Sequence, residues 1–369
     1  MKTLIPVAEG DIRSALQGFL RLLLENNVVD ALLVPMRTPQ GAVAPALVMD
    51  ASLLSEADPL APVMPGNAAT LAGKLSIREP RAKVGAVLRA CELRALVELV
   101  KLKQASLENL VLIAADCAGT LDVPRFYELP EKGRALDYCE WFEKAFASPE
   151  ADDRELRLAC QMCEYPTFEQ ADIALELLGG DLRMGIQISL PDDLGEMLGF
   201  APVADGHARA ERMERLVAQR VQKRDSEFDA MAGRIENEAG IIGVFDQCIR
   251  CHNCMTVCPI CYCRTCVFKS NVFEHEPMKY ISWANRKGAF RLPADTSLFH
   301  LTRLNHMVLS CVGCGMCTQA CPADLPVGVV FRSVGHRVQD VFEYLPGRSV
   351  DEVLPLITFE EDEWTDLGE

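Results

Sequence analysis

The chain has 369 residues, 49% of them hydrophobic and 24% charged; this is the composition of an ordinary folded protein and it excludes disorder and low complexity. Its 37 Lys and Arg against 53 Asp and Glu leave a formal charge of −16. Such a surface repels phosphate backbones and anionic lipid, so neither nucleic acid nor a membrane surface is expected as a partner, whereas basic protein faces are. No run reaches the ~18 apolar residues of a membrane span, and MKTLIPVAEGDI, with Glu9 and Asp11 close behind one short apolar run, is no secretory signal. A cytoplasmic location is expected.

Residues 12–24 (IRSALQGFLRLLL) have the 3.6-residue period of an amphipathic helix, and 29–50 read as a hairpin around the turn Thr38-Pro39-Gln40-Gly41. The glycine-bounded stretch 65–74 (PGNAATLAGK) has two readings: a backbone cradle for a diphosphate with Lys74 as counter-charge, or a turn into a helix. Residues 83–89 (KVGAVLR) read as a buried strand, 92–104 as an amphipathic helix and 110–115 (LVLIAA) as a second strand. Strand–helix–strand with short joints is a βαβ unit with parallel strands. Cys91 and Cys117 then fall just past the carboxyl ends, on the rim where open α/β sheets hold their ligands. Residues 205–239, dense in charge and rich in helix formers, read as a solvated connecting helix. In 350–369, eight acidic residues and no Lys or Arg accompany Val353, Leu354, Leu356, Ile357, Phe359 and Trp364, which leaves a solvated tail and a docking segment both open.

The cysteines carry the chemistry. Of 16, five lie between Cys91 and Cys163 and eleven between Cys248 and Cys321. Clustered cysteines in a reducing compartment read as metal ligands or redox groups. Cys248-Ile-Arg-Cys251-His-Asn-Cys254-Met-Thr-Val-Cys258-Pro and Cys311-Val-Gly-Cys314-Gly-Met-Cys317-Thr-Gln-Ala-Cys321-Pro both follow C-x2-C-x2-C-x3-C-P. In that run three thiolates wrap one [4Fe–4S] cube and the fourth reaches the neighbouring cluster. Cys248, Cys251, Cys254 and Cys321 are therefore assigned to one cube, and Cys311, Cys314, Cys317 and Cys258 to another. Gly313 and Gly315 let backbone N–H groups approach the sulfurs. Zinc, the alternative four-thiolate metal, uses two C-x2-C pairs rather than this run twice over. Cys261, Cys263 and Cys266 stay unassigned, as packing residues or ligands of another metal.

Rim residues Cys91 and Cys117 together with the pair Cys160-Gln-Met-Cys163 supply four more thiolates, enough for a third [4Fe–4S] cluster. Cys139, on an amphipathic segment, is read as core, with replacement of Cys91 or Cys117 as its alternative. The six histidines show no H-E-x-x-H pairing and are read as surface or core residues; G-x-S-x-G, G-x-G-x-x-G and G-x4-G-K-[ST] are absent.

The 52 residues between Cys258 and Cys311, with segments that suit helices, resemble the α-helical dicluster domain of succinate dehydrogenase and heterodisulfide reductase iron–sulfur subunits. VLRACELRAL, IAADCAG and CQMCEYPTFEQADIAL resemble, in order, three elements of the beta subunits of coenzyme F-420-reducing hydrogenases and formate dehydrogenases, over about residues 60–200. Here the dicluster domain follows that core, whereas in the family ferredoxin motifs usually precede it, and Ala90 stands before Cys91 in place of a proline. The resemblance implies FAD in an α/β core beside one cluster, with Asn67, Lys74 and Arg89 as flavin contacts. It also implies electron transfer between a hydride-carrying small molecule and a catalytic redox subunit: a formate dehydrogenase, a hydrogenase or a heterodisulfide-reductase-like complex. The expected fold is an α/β core with a βαβ-containing sheet (1–204), a connecting helix (205–239), a mostly α-helical dicluster domain (240–345) and an acidic tail (346–369). A flavin-free relay of polyferredoxin type, with no substrate of its own, is the alternative.

Overall fold

The computed structural model describes residues 1–77, 82–131, 136–148, 152–203, 207–237 and 240–357. Seven strands, β1 (Lys2–Pro6), β2 (Ala31–Arg37), β3 (Val43–Val48), β4 (Val84–Arg89), β5 (Leu110–Ala115), β6 (Ile173–Glu176) and β7 (Gly185–Ser189), form one sheet in the order β1-β7-β6-β5-β4-β2-β3. The four central strands β2, β4, β5 and β6 run parallel, while β1, β7 and β3 are antiparallel to their neighbours. β4 and β5 are buried at every position, as strands covered on both faces must be.

Side chains alternate across this sheet. Val87, Val111 and Ile113 belong to the core under helix α1 (Ile12–Glu25), which inserts Leu16, Phe19, Leu20 and Leu23. Ala86, Leu88, Leu112 and Ala114 face the other side, covered by helices α2 (Ala69–Ser76) and α3 (Ala90–Lys101). That second core continues without a break into the cysteine-rich region through Met255, Phe299, Val312, Val330 and Phe331. The buried Glu98 carboxylate on α3 fastens the chain's far end: it accepts from Tyr344 Oη and Gly347 N, both at 2.7 Å, and pairs with Lys101. A single apolar layer thus holds the C-terminal region against the rim of the sheet.

The 12–24 helix, the hairpin and the βαβ unit are present as expected. The helix after β4 starts earlier than the sequence suggested, at Ala90, because Glu92 at its third position turns back to accept from Arg89 N at 3.0 Å. The 207–239 segment departs from expectation in a different way. The helix His207–Asn237 is exposed along much of its length but buries Leu216, Arg220 and Met231 against the core, so it packs rather than merely connects. Among the described residues no helix is long and apolar enough to cross a membrane. The acidic segment beyond residue 357 lies outside the described residues.

Candidate metal centres

β4 and β5 end level, with Arg89 opposite Ala115, and Cys91 and Cys117 each stand two residues past the strand end. Cys91 sits in the first turn of α3, and Cys117 is held by a bond from its N–H to Pro166 O at 2.9 Å. The helical turn Leu158–Gln161 brings Cys160 to the same rim, tied there by Arg157 N donating to Thr120 O at 2.9 Å. Burial, then the charges of Glu92, Cys117, Cys314 and Cys163, push the Cys91 thiol well up. Burial and Cys160 raise Cys117 to about 11 against the pull of Arg89. Burial acts on Cys160 too, but Arg157 and two hydrogen bonds from Thr120 outweigh it and lower that thiol. The structure therefore gathers the four rim cysteines, with Cys314 beside them.

In the C-terminal region Cys248, Cys251, Cys254 and Cys321 line one pocket with Phe299, His300 and Leu325. Cys258, from the first run, is raised by burial and by its neighbours Cys314, Cys317 and Cys311. Both sets of four assigned from the spacing are thus brought together across the two runs. Cys139 lies apart in the α1 core and donates to Gly10 O at 3.5 Å. Cys261 and Cys266 pack against the second core, with Cys266 Sγ 3.7 Å from Met255 Sδ, while Cys263 is exposed.

Do these surroundings fit iron–sulfur cubes? Two observations bear on it. First, polar N–H groups point at the sulfurs: Arg250 N lies 3.3 Å from Cys248 Sγ and Arg303 Nη1 3.1 Å from Cys254 Sγ, while His300 Nε2 stands 3.2 Å from Cys248 Sγ. Second, Asn67 Nδ2, Arg303 Nε, Arg332 Nη1 and His252 Nε2 are buried near these cysteines without a partner. Buried orphan donors are costly, and the inorganic sulfides of a cube would satisfy them.

Local backbone explains the approach. Gly313 and Gly315 have φ of +70° and +72°, and a Cβ on Gly315 would stand 2.3 Å from Ala159 Cβ, beside Cys160. In the first run Arg250 and His252 hold the equivalent left-handed conformation. Arg157, which no spacing rule singles out, links the rim site to the second run: Nε donates to Thr120 Oγ1 at 2.8 Å, Nη1 to Gln319 Oε1 at 2.8 Å, and Nη2 lies 3.6 Å from Cys160 Sγ.

The segment 65–74 is less accommodating. At the N-terminus of α2, Ala68 N donates to Glu92 Oε1 at 2.9 Å and Ala69 N to Asn67 Oδ1 at 3.0 Å, so the donors a diphosphate would use serve the chain's own side chains. Lys74 is exposed in the last turn of α2. Arg89 donates to Ala61 O at 2.6 Å and faces Cys117, and Asn67 lies beside Cys314, whose thiol burial pushes up. The space beside Arg89 is about 10 Å³, room for one water. Asn67 and Arg89 thus stand beside cysteines, and Lys74 lies apart from both on the surface.

A family model described as a 4Fe-4S dicluster domain matches residues 244–325. The chain is 26% identical over 301 residues to the F420-dependent formate dehydrogenase subunit beta of Methanocaldococcus jannaschii, covering 74% of this chain and 75% of that protein. It is 24% identical over 382 residues to the F420-dependent formate dehydrogenase 1 subunit beta of Methanococcus maripaludis, covering 94% and 93%. These findings bear out the resemblance carried by VLRACELRAL, IAADCAG and CQMCEYPTFEQADIAL, together with the dicluster domain at the C-terminal end of the chain.

Proposed function

We propose that this relative of formate dehydrogenase beta subunits is the electron-conducting subunit of a redox complex, carrying three [4Fe–4S] clusters in a row. Cys91, Cys117, Cys160 and Cys163 hold one end; Cys258, Cys311, Cys314 and Cys317 hold the middle; Cys248, Cys251, Cys254 and Cys321 hold the other end. The cubes supply one-electron chemistry, and the chain's own residues supply position and charge. The observation that carries the reading is the contact between the two sites: Arg157 reaches from Cys160 to Gln319, and Gly315, next to Cys314, lies against Ala159, next to Cys160. A rim site beside the middle site makes a continuous conductor. Arg303, against Cys254 and near Cys258, stands between the middle and outer sites. The partners are catalytic redox subunits of the formate dehydrogenase kind, and the cytoplasm is the proposed location.

Hydride transfer at FAD is a second reading, implied by the family. One observation favours it. A cleft of about 900 Å³ beside the Cys160–Cys163 loop, lined by Arg94, Tyr165, Phe168, Arg209 and Arg348, has room for a dinucleotide. FAD per polypeptide in anaerobically purified, reconstituted protein separates the two. The relay reading requires no flavin together with a full iron complement. Near one FAD per chain would overturn it in favour of hydride chemistry and would justify testing F-420 and NAD(P)H as donors.

A further inference from the structure

One part of the surface runs against the sign of the whole. Residues 249–292 carry seven Lys and Arg against two Glu, a local charge of +5 in a chain of −16. Arg264, Lys269, Lys279, Arg286 and Lys287 form no ion pair among the described residues. The same stretch is rich in exposed apolar side chains: Ile249 is 62% exposed, Met278 68% and Leu292 61%, with Val272 and Ile281 also open to solvent. Within it the helix Pro277–Lys287 has no buried residue at all. Its aromatic side chains pack on one another, Trp283 against Tyr280 and Phe290, with Lys279 and Lys287 laid over the rings. An isolated helix of under ~12–15 residues is marginal in water and normally draws its stability from packing an amphipathic face. Among the described residues this one packs only at its half-buried rings and buries no side chain fully.

The surface is continuous with the outer cysteine site. Tyr280 Oη donates to Phe273 O at 3.3 Å, and the Phe273 ring lies under Arg250, one residue from the exposed Cys251. We propose that the helix Pro277–Lys287 and the apolar rim around Cys248–Cys251 are the docking surface for a protein partner with an acidic border and an apolar centre that presents its own one-electron redox group. The redox part of this inference rests on the electron-conducting reading above; the docking part rests on exposure and charge. A second copy of this chain is the less favoured occupant. Nucleic acid is disfavoured by the overall charge of −16 and by the apolar content of the patch.

The test uses the native complex, isolated from its source through a tag on this full-length chain. Lysine acetylation is compared between the complex and the free chain, and carbodiimide cross-links are mapped by mass spectrometry. Lys279 and Lys287 are expected to react at least about tenfold more slowly in the complex, while exposed Lys74 on α2 is unchanged; their cross-links should run to Asp or Glu of a metal-containing subunit. Equal reactivity in both states, or cross-links only between copies of this chain, overturns the proposal. A Lys279→Glu, Arg286→Glu, Lys287→Glu variant that keeps the parental iron content should recover at least about tenfold less of that subunit, and undiminished recovery overturns the proposal too. An iron content below the three-cluster value would defeat the conduction reading alone, because the footprint is read without reference to iron.

Discussion

Arg157 joins the rim cysteines to the second cysteine run. Its guanidinium is buried between Cys160 and the Met316–Gln319 turn, and burial is outweighed by the thiols of Cys160, Cys91 and Cys314, which hold its own proton more tightly still. A fixed positive charge at that point would stabilise the reduced, more negative state of a cluster held by Cys91, Cys117, Cys160 and Cys163. Arg157→Met should move the rim cluster's midpoint to more negative potential by about 60 mV, a tenfold change for one electron. Arg157→Lys, which keeps the charge, should recover most of the shift. A redox titration followed by electron paramagnetic resonance reads this directly, and unchanged midpoints in both variants would show that Arg157 only packs. The cysteines were legible in the sequence because they recur at fixed local spacing. Arg303 and His300 were not, because each meets its sulfur through the tertiary fold, 49 residues from Cys254 and 52 from Cys248; Arg157 was not either, because although it stands three residues from Cys160, no spacing rule calls for an arginine there. Asn67 and Arg89, read as flavin contacts, stand beside Cys314 and Cys117, and small residues around 65–74 look alike whether a phosphate or a carboxylate such as Glu92 fills the helix end.

At the scale of elements, hydrophobic period decided most of what could be read. α1, the β2–β3 hairpin and the β4–α3–β5 unit all show it plainly. The helix His207–Asn237 hid its buried side because Arg220, counted as solvated charge, spends its guanidinium on Ala118 O and Cys163 O at 3.2 and 3.3 Å. The caps give a pH-dependent test. Asp11 begins α1, accepting from Ser14 N at 3.0 Å and Ser14 Oγ at 2.6 Å, and these bonds hold its carboxyl below 3.8. A folded pKa below the unfolded one means the stabilisation is full above about pH 4 and lost as pH falls through the lowered value. Asp11→Ala should therefore cost about 1 kcal/mol at pH 7, and the gap between variant and parent in chemical unfolding should close toward pH 3. A gap that persists there would place the effect elsewhere than in the cap.

For the whole molecule, one apolar layer joins the sheet to the C-terminal region, yet the two should respond differently to loss of metal. The α1 face of the sheet is filled by Leu, Ile, Val and Phe and owes little to any cluster. The region 244–325 surrounds its cysteines with orphan donors, and burial holds the Cys254 and Cys258 thiols in their protonated form when no iron is bound. Removing iron anaerobically with a chelator should thus speed hydrogen exchange across 248–321 while β4, β5 and α1 stay protected. Uniform loosening would mean that the sheet, too, depends on its rim cluster. Overall charge averages over local differences at this scale. The expectation of basic partner faces follows from −16, but the stretch around the outer cluster is locally basic.

Iron and acid-labile sulfide per polypeptide, measured on the reconstituted full-length chain and on Cys91→Ser, test the three-cluster conductor most directly. The expected result is about twelve irons and twelve sulfides in the parent, falling to about eight of each in the variant with the two C-terminal clusters intact. A parent that holds only about eight irons, unchanged by Cys91→Ser, would contradict the rim cluster and with it the continuous path from the sheet to the outer surface.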